Sequence, residues 1–143
     1  MTAPEQQPVL DANEQFYLAF TNRDLAAMSR LWFPADWVEC VHPGGQALRG
    51  WEAVKDGWAA VFNAGANLLV AATDVRVRRV GDVAWVSCRE RLAASADGRM
   101  VTSEAQATNL FVRHDERWRM VLHHASPLPF TGPPQSGSDV VVN

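Results

Sequence analysis

Residues 68–126 read LLVAATDVRVRRVGDVAWVSCRERLAASADGRMVTSEAQATNLFVRHDERWRMVLHHAS. Four extended segments stand out, at 68–80, 83–92, 100–113 and 118–126, each rich in β-branched and aromatic residues. Gly81-Asp82, Asp97-Gly98 and the polar run His114-Asp115-Glu116-Arg117 separate them. Connections this short force neighbouring strands to run antiparallel, so the segments predict a four-stranded meander. Each segment exceeds the ordinary strand length of about five or six residues, and such strands twist and bulge. The sheet is therefore expected to bend strongly, with a hollow side that something else must cover.

The preceding residues supply that cover. Val9, Asn13, Phe16 and Phe20 recur at helical spacing, flanked by Leu10 and Tyr17, which predicts a first helix ending near Asn22. Asp24 is a good N-cap for a shorter helix with Leu25, Met28, Leu31 and Trp32 on one side, ended by Pro34. Residues 37–42 predict a short strand closed by Pro43-Gly44-Gly45. Trp51, Val54, Trp58, Val61 and Phe62 return to the helical period, and residues 63–67 form the exit. Gly57 costs that helix about 1 kcal/mol relative to Ala and is expected to permit close packing. The fold class is thus α+β: three N-terminal helices packed on a curved antiparallel sheet.

Composition narrows the function classes. The 143 residues suit one domain, here bounded at 8–128, with residues 1–7 read as a disordered N-terminus and 129–143 as a Pro/Gly/Ser-rich extension. Val140, Val141 and Val142 of that extension could dock on a neighbouring surface. No apolar run approaches the roughly 18 residues of a membrane span, and Met1 to Pro8 lacks the layout of a secretory signal, so no membrane partner and a cytoplasmic location are expected. The net charge of −3 argues against nucleic acid as a partner, and the arginines of the second half lack interleaved exposed aromatics. Cys40 and Cys88 read as two reduced, buried thiols.

Several motifs together resemble the NTF2-like superfamily, and within it the SnoaL-like members. They are Cys40-Val41-His42-Pro43-Gly44-Gly45, Gly50-Trp51-Glu52-Ala53-Val54 with Trp58 downstream, Thr108-Asn109-Leu110-Phe111, and the run from Trp118 to Pro127. The resemblance covers about residues 8–128 and implies a cone-shaped α+β barrel of the cystatin-like kind, a pocket at its open end, and a homodimer through the outer sheet face. Superfamily members include ketosteroid isomerase, scytalone dehydratase, polyketide cyclases, limonene epoxide hydrolase and the association domain of calcium/calmodulin-dependent protein kinase II. Set against ketosteroid isomerase, the general-base position looks like His42, before Pro43, while the oxyanion-binding tyrosine position falls on Phe16, next to Tyr17. Set against the kinase association domain, three pocket arginines look like Ser87, Asn109 and Ala125, so an anion held in that manner is not implied.

Period-two alternation on the last strand places Arg119, Val121, His123 and Ala125 on one face and Trp118, Met120, Leu122, His124 and Ser126 on the other. His123 and His124 then point apart, and no metal site is expected. The second row is too apolar for water, which independently favours a dimer. His123 would face the hollow, as the resemblance to the kinase association domain implies for Ser87 and Asn109 too, giving a polar cluster with His42 or His123 as acid or base and Asn109 orienting a carbonyl or hydroxyl. The same groups also read as hydrogen-bonded core residues that meet no ligand. Tyr17, Trp32 and Trp58 could line the pocket mouth or belong to the core. Arg89 and Glu90 alternate on a central strand, where cross-strand ion pairs explain them most simply. The resulting expectation is a small, mostly apolar ligand handled without a cofactor by isomerisation, dehydration or cyclisation, or else a non-catalytic association or ligand-carrier domain.

Overall fold

The computed structural model describes residues 4–64 and 67–129. The expected docking of Val140, Val141 and Val142 and part of the 63–67 exit lie outside the described residues. The described chain begins with a 3-10 turn, Pro4–Gln6, which runs into helix α1, Gln7–Thr21. Helical structure thus starts ahead of the boundary expected at residue 8. Pro8 sits in the first turn of α1, where its missing N–H costs nothing. The stripe Val9, Ala12, Asn13, Phe16, Tyr17, Ala19 and Phe20 is buried.

Helix α2, Leu25–Leu31, starts at Asp24, whose Oδ1 accepts the Ala27 N–H at 3.0 Å. With only seven residues it depends on that cap. Asp24→Ala is expected to cost about 1 kcal/mol in urea unfolding and Asp24→Asn almost nothing, because asparagine caps equally well. Equal losses for the two variants would show that the charge matters rather than the cap.

Strand β1, Glu39–Val41, is shorter than the extended stretch expected from residue 37, because Asp36 and Trp37 form a turn. It pairs antiparallel with β2, Leu48–Arg49, and parallel with the last strand. Helix α3, Trp51–Phe62, follows. A Cβ on Gly57 would run into the Leu48 side chain, so this glycine does permit the close approach of α3 to β2. The meander then runs through β3, Asn67–Val80, β4, Val83–Ala96, β5, Arg99–His114, and β6, Arg117–Pro127. Asp97-Gly98 and Asp115-Glu116 both carry positive φ at their two residues, the backbone that matches the twist of a two-residue hairpin turn.

The sheet order is β2-β1-β6-β5-β4-β3. The architecture is α+β, as read from the sequence, but the sheet is mixed rather than purely antiparallel and does not close, leaving β2 and β3 as edges. Helix α1 packs on β3, β4 and β6, and α3 on β1 and β2, so one face of the sheet is covered. No helix among the described residues is long and apolar enough to cross a membrane.

One feature of β6 corrects the sequence reading. Leu110 pairs with Leu122 while Phe111 pairs with Met120, so Val121 is an extra residue on β6. This bulge interrupts the period of two. Trp118 and Met120 therefore lie on the same buried side as His123 and Ala125, instead of opposite them. The apolar row on the face that no described helix covers is Trp85, Leu110 and Leu122, which stand in register across β4, β5 and β6.

Candidate functional site

Alternation on β4 turns Ala84, Val86, Cys88 and Glu90 toward the helices, and on β5 it turns Ala105, Ala107, Asn109 and Phe111 the same way. With Asn13 and Tyr17 from α1 and His123 from β6, these strands bring several polar side chains into one interior. Asn13, Glu90, Asn109 and His123 are all buried, with at most 3% of their surface exposed.

The groups form one network. Tyr17 donates its hydroxyl proton to Glu90 Oε2 at 2.7 Å. Its oxygen in turn accepts from Asn109 Nδ2 at 3.0 Å, and the same amide donates to Asn13 Oδ1 at 2.8 Å. Asn109 therefore turns Oδ1 to His123, and Nδ1–H of the imidazole donates to it at 2.6 Å. That assignment leaves His123 Nε2 as the bare acceptor. It lies 3.8 Å from Glu90 Oε2, too far for a hydrogen bond, and meets no hydrogen-bonding partner among the described residues.

Burial sets the charge states. It pushes the Glu90 carboxyl up to about 7, against the lowering pull of the Tyr17 hydroxyl. It pushes the His123 imidazole down to about 3, with His42 and His124 adding repulsion. The 3.8 Å approach of the two could suggest an ion pair, but an imidazole this buried stays neutral and Glu90 is the group that titrates. Burial likewise raises the Tyr17 and Cys40 acids, moves Cys88 up to about 11, and lowers His42. The thiols are thus protonated and poor nucleophiles near neutral pH. Among the described residues no group of three His, Cys, Asp or Glu could hold a metal ion.

His42 follows β1 at the rim and is half-buried, its Nε2 3.6 Å from Cys40 Sγ. Its ring stands edge-on to Trp58 at 4.7 Å and 6.3 Å from the His123 ring. His42 and His123 are therefore neighbours across one interior, with the Trp58 and Phe16 rings 5.8 and 4.9 Å from His123. These rings meet in the interior where an open pocket was expected. Trp58 belongs to this cluster. Trp32 does not: it stacks on Trp51 at 6.2 Å, bridges to Met120 and is core. Tyr17 is central rather than at a mouth.

Ser87 is displaced from its expected role. Buried Val86 and Cys88 flank it, so the pleat sends its side chain to the uncovered face, where Gln106 Nε2 donates to it at 3.2 Å. Glu90, Cys88 and Asn13 are the polar members missing from the sequence expectation. A groove of about 370 Å³ between α1 and β3 reaches Asn13 and Tyr17 from outside, among Leu10, Leu18, Val70 and Ala72. A larger hollow of about 530 Å³ over α1 and α2, lined by Asp11, Arg30 and Glu116 among others, touches none of the network.

The SnoaL-like domain family matches residues 9–131. The chain belongs to the SnoaL-like domain family. A candidate dehydratase of the NTF2-like family from Streptomyces avermitilis is 33% identical, with a TM-score of 0.81 over 88% of this chain and 99% of that one. A candidate calcium/calmodulin-dependent protein kinase type II association domain from Thiobacillus denitrificans is 37% identical, with a TM-score of 0.71 over 90% of this chain and 97% of that one. The F-box protein SKIP8 of Arabidopsis thaliana is 32% identical over 118 residues, 82% of this SnoaL-like chain and 48% of that protein. The chain thus spans about half the length of this curated relative.

Proposed function

We propose that this SnoaL-like protein is a cofactor-free lyase that dehydrates a small, mostly apolar molecule carrying a hydroxyl β to a carbonyl. The observation that carries the reading is a buried carboxyl, Glu90, 3.8 Å from a His123 nitrogen that has no partner among the described residues, with the His42 ring 6.3 Å from that of His123. Elimination needs an acid and a base in one water-poor place, with pKa values near the working pH. His42 serves as base and takes the proton from the carbon next to the carbonyl. The C–O bond breaks, and the departing oxygen takes the proton of Glu90 and leaves as water. The histidinium and the carboxylate then exchange the proton to restore the starting state. Tyr17 holds Glu90 in place. The similarity to the Streptomyces avermitilis candidate dehydratase supports this choice over isomerisation or cyclisation.

A panel of β-hydroxy ketones with apolar frames, followed by enone absorbance without added cofactor, tests the proposal. We expect turnover that falls on the order of a hundredfold in His42→Ala, with the melting temperature kept. Equal rates in the two proteins would defeat the reading.

The second reading is a non-catalytic association or carrier domain, favoured by the 37% identity to the Thiobacillus denitrificans protein. The uncovered face bears on it, because Val80, Val83 and Trp85 are exposed there beside Leu110 and Leu122. We propose that this row pairs two copies of the chain, a homodimer compatible with either reading. Absence of turnover across the panel, together with assemblies larger than a dimer, would favour association.

A further inference from the structure

Two buried polar atoms near the center of the network have no partner among the described residues, and they are complementary. One is His123 Nε2, an acceptor by the tautomer assigned above; the other is Trp58 Nε1, a donor. Both side chains are buried, with Trp58 at 0% and His123 at 1% exposure, and their ring centroids are 5.8 Å apart. A buried donor or acceptor left unpaired is costly, so two orphans in one place imply a polar group that both are built to meet. Trp32 Nε1 is also buried without a partner among the described residues, yet it stacks on Trp51, away from the network. An orphan indole alone is therefore not enough; the adjacent orphan acceptor is what distinguishes Trp58.

Few functional groups satisfy such a pair. A carbonyl or ether oxygen accepts from the indole but offers His123 nothing, and an ammonium does the reverse. A hydroxyl does both: its oxygen accepts from the indole and its proton goes to the imidazole. Its second lone pair remains free, and Glu90 Oε2 lies 3.8 Å from His123 Nε2. A protonated Glu90 can then donate to that lone pair.

We propose that Trp58 and His123 form a hydroxyl-binding clamp that selects an aliphatic alcohol, with Glu90 against the third side of the same oxygen. This deepens the dehydratase reading and rests on it, since the clamped oxygen is the one that leaves as water. Trp58 and His123 hold this oxygen, while His42, whose ring lies 4.7 Å from that of Trp58, faces the carbon side. The clamp requires a hydroxyl on the apolar frame, so a molecule whose only polar group is a carbonyl or a carboxylate does not fit it.

The test uses the full chain labelled with 15N at tryptophan and histidine, titrated separately with cyclohexanol, cyclohexyl methyl ether and cyclohexane. Cyclohexanol should shift the Trp58 indole N–H, assigned by its loss in Trp58→Phe, and the His123 Nε2 resonance together. It should bind about tenfold more tightly than the ether, and Trp58→Phe should lose about tenfold for the alcohol while cyclohexane binding stays unchanged. Trp32→Phe should leave all three affinities alone. The five remaining indole signals of Trp58→Phe report whether it still folds. Equal affinity for alcohol and ether, unchanged alcohol affinity in Trp58→Phe, a His123 spectrum with Nε2 protonated, or no binding of any probe each overturns the clamp. Hydroxy-ketone turnover that survives in Trp58→Phe but not in His42→Ala would leave the acid–base reading standing while removing the clamp.

Discussion

Glu90→Gln should gain about 3 kcal/mol of stability relative to the native protein on going from pH 5 to pH 8. Burial raises the Glu90 carboxyl from 4.5 to about 7, so the folded state holds this proton more tightly than the unfolded state. Stability from that group is fully present below about pH 4.5 and is lost as the pH rises to about 7, a difference of about 3 kcal/mol. Glutamine keeps the shape and the acceptor for Tyr17 but cannot ionise, so the loss disappears. His123 works in the opposite sense. Its folded-state value lies near 3 against 6.5, so the stability it contributes grows with pH through that window, and the lowered His42 adds in the same direction. Between about pH 4.5 and 6.5 the loss from Glu90 offsets the gain from His123, so the native protein should gain only what His42 adds, whereas Glu90→Gln should gain more steeply. Urea unfolding of both proteins at several pH values checks this, and parallel curves would mean that Glu90 is ionised without penalty in the folded state.

Much of the network follows from registers that the sequence already carries. His123 and Asn109 face the helices as alternation predicts, and they are cross-strand partners on β6 and β5. Glu90 follows from the same logic, since Ala84, Val86, Cys88 and Glu90 share one face of β4. The flanking Arg89 and Arg91 made it look like a member of a surface ion pair. The pair that does form on the surface is Arg91 with Glu104, at 3.7 Å. The resemblance to the kinase association domain implies a pocket position for Ser87, whereas the pleat of its own strand, with Val86 and Cys88 buried, turns it to the other face. Tyr17 is expected at a pocket mouth or in the core, and on the helix it is turned about 100° from Phe16. The buried stripe of α1 is nevertheless broad enough to hold both residues. The orphaned atoms of Trp58 and His123 have no sequence signal at all, because they depend on which nitrogen faces which neighbour.

The meander and the three helices are legible because long β-branched runs and helical apolar spacing are strong local signals. The place of β1 beside β6 is not, since three residues cannot announce a parallel partner more than 70 positions away. A bulge is equally silent, and Met120 is where that silence matters most. Uninterrupted alternation would put its side chain on the uncovered face, where truncation changes stability by no more than about 0.5 kcal/mol. With Val121 inserted, Met120 is 0% exposed and its strand bridges to Trp32. Met120→Ala should then cost roughly 2–5 kcal/mol, the range for emptying a buried methionine site. His124→Ala, on the exposed side of the same strand, should stay within about 0.5 kcal/mol. Urea unfolding of the two variants separates the registers: similar small losses would mean that β6 alternates without the bulge, which would move Met120 and Trp118 to the outer face while leaving His123 inward.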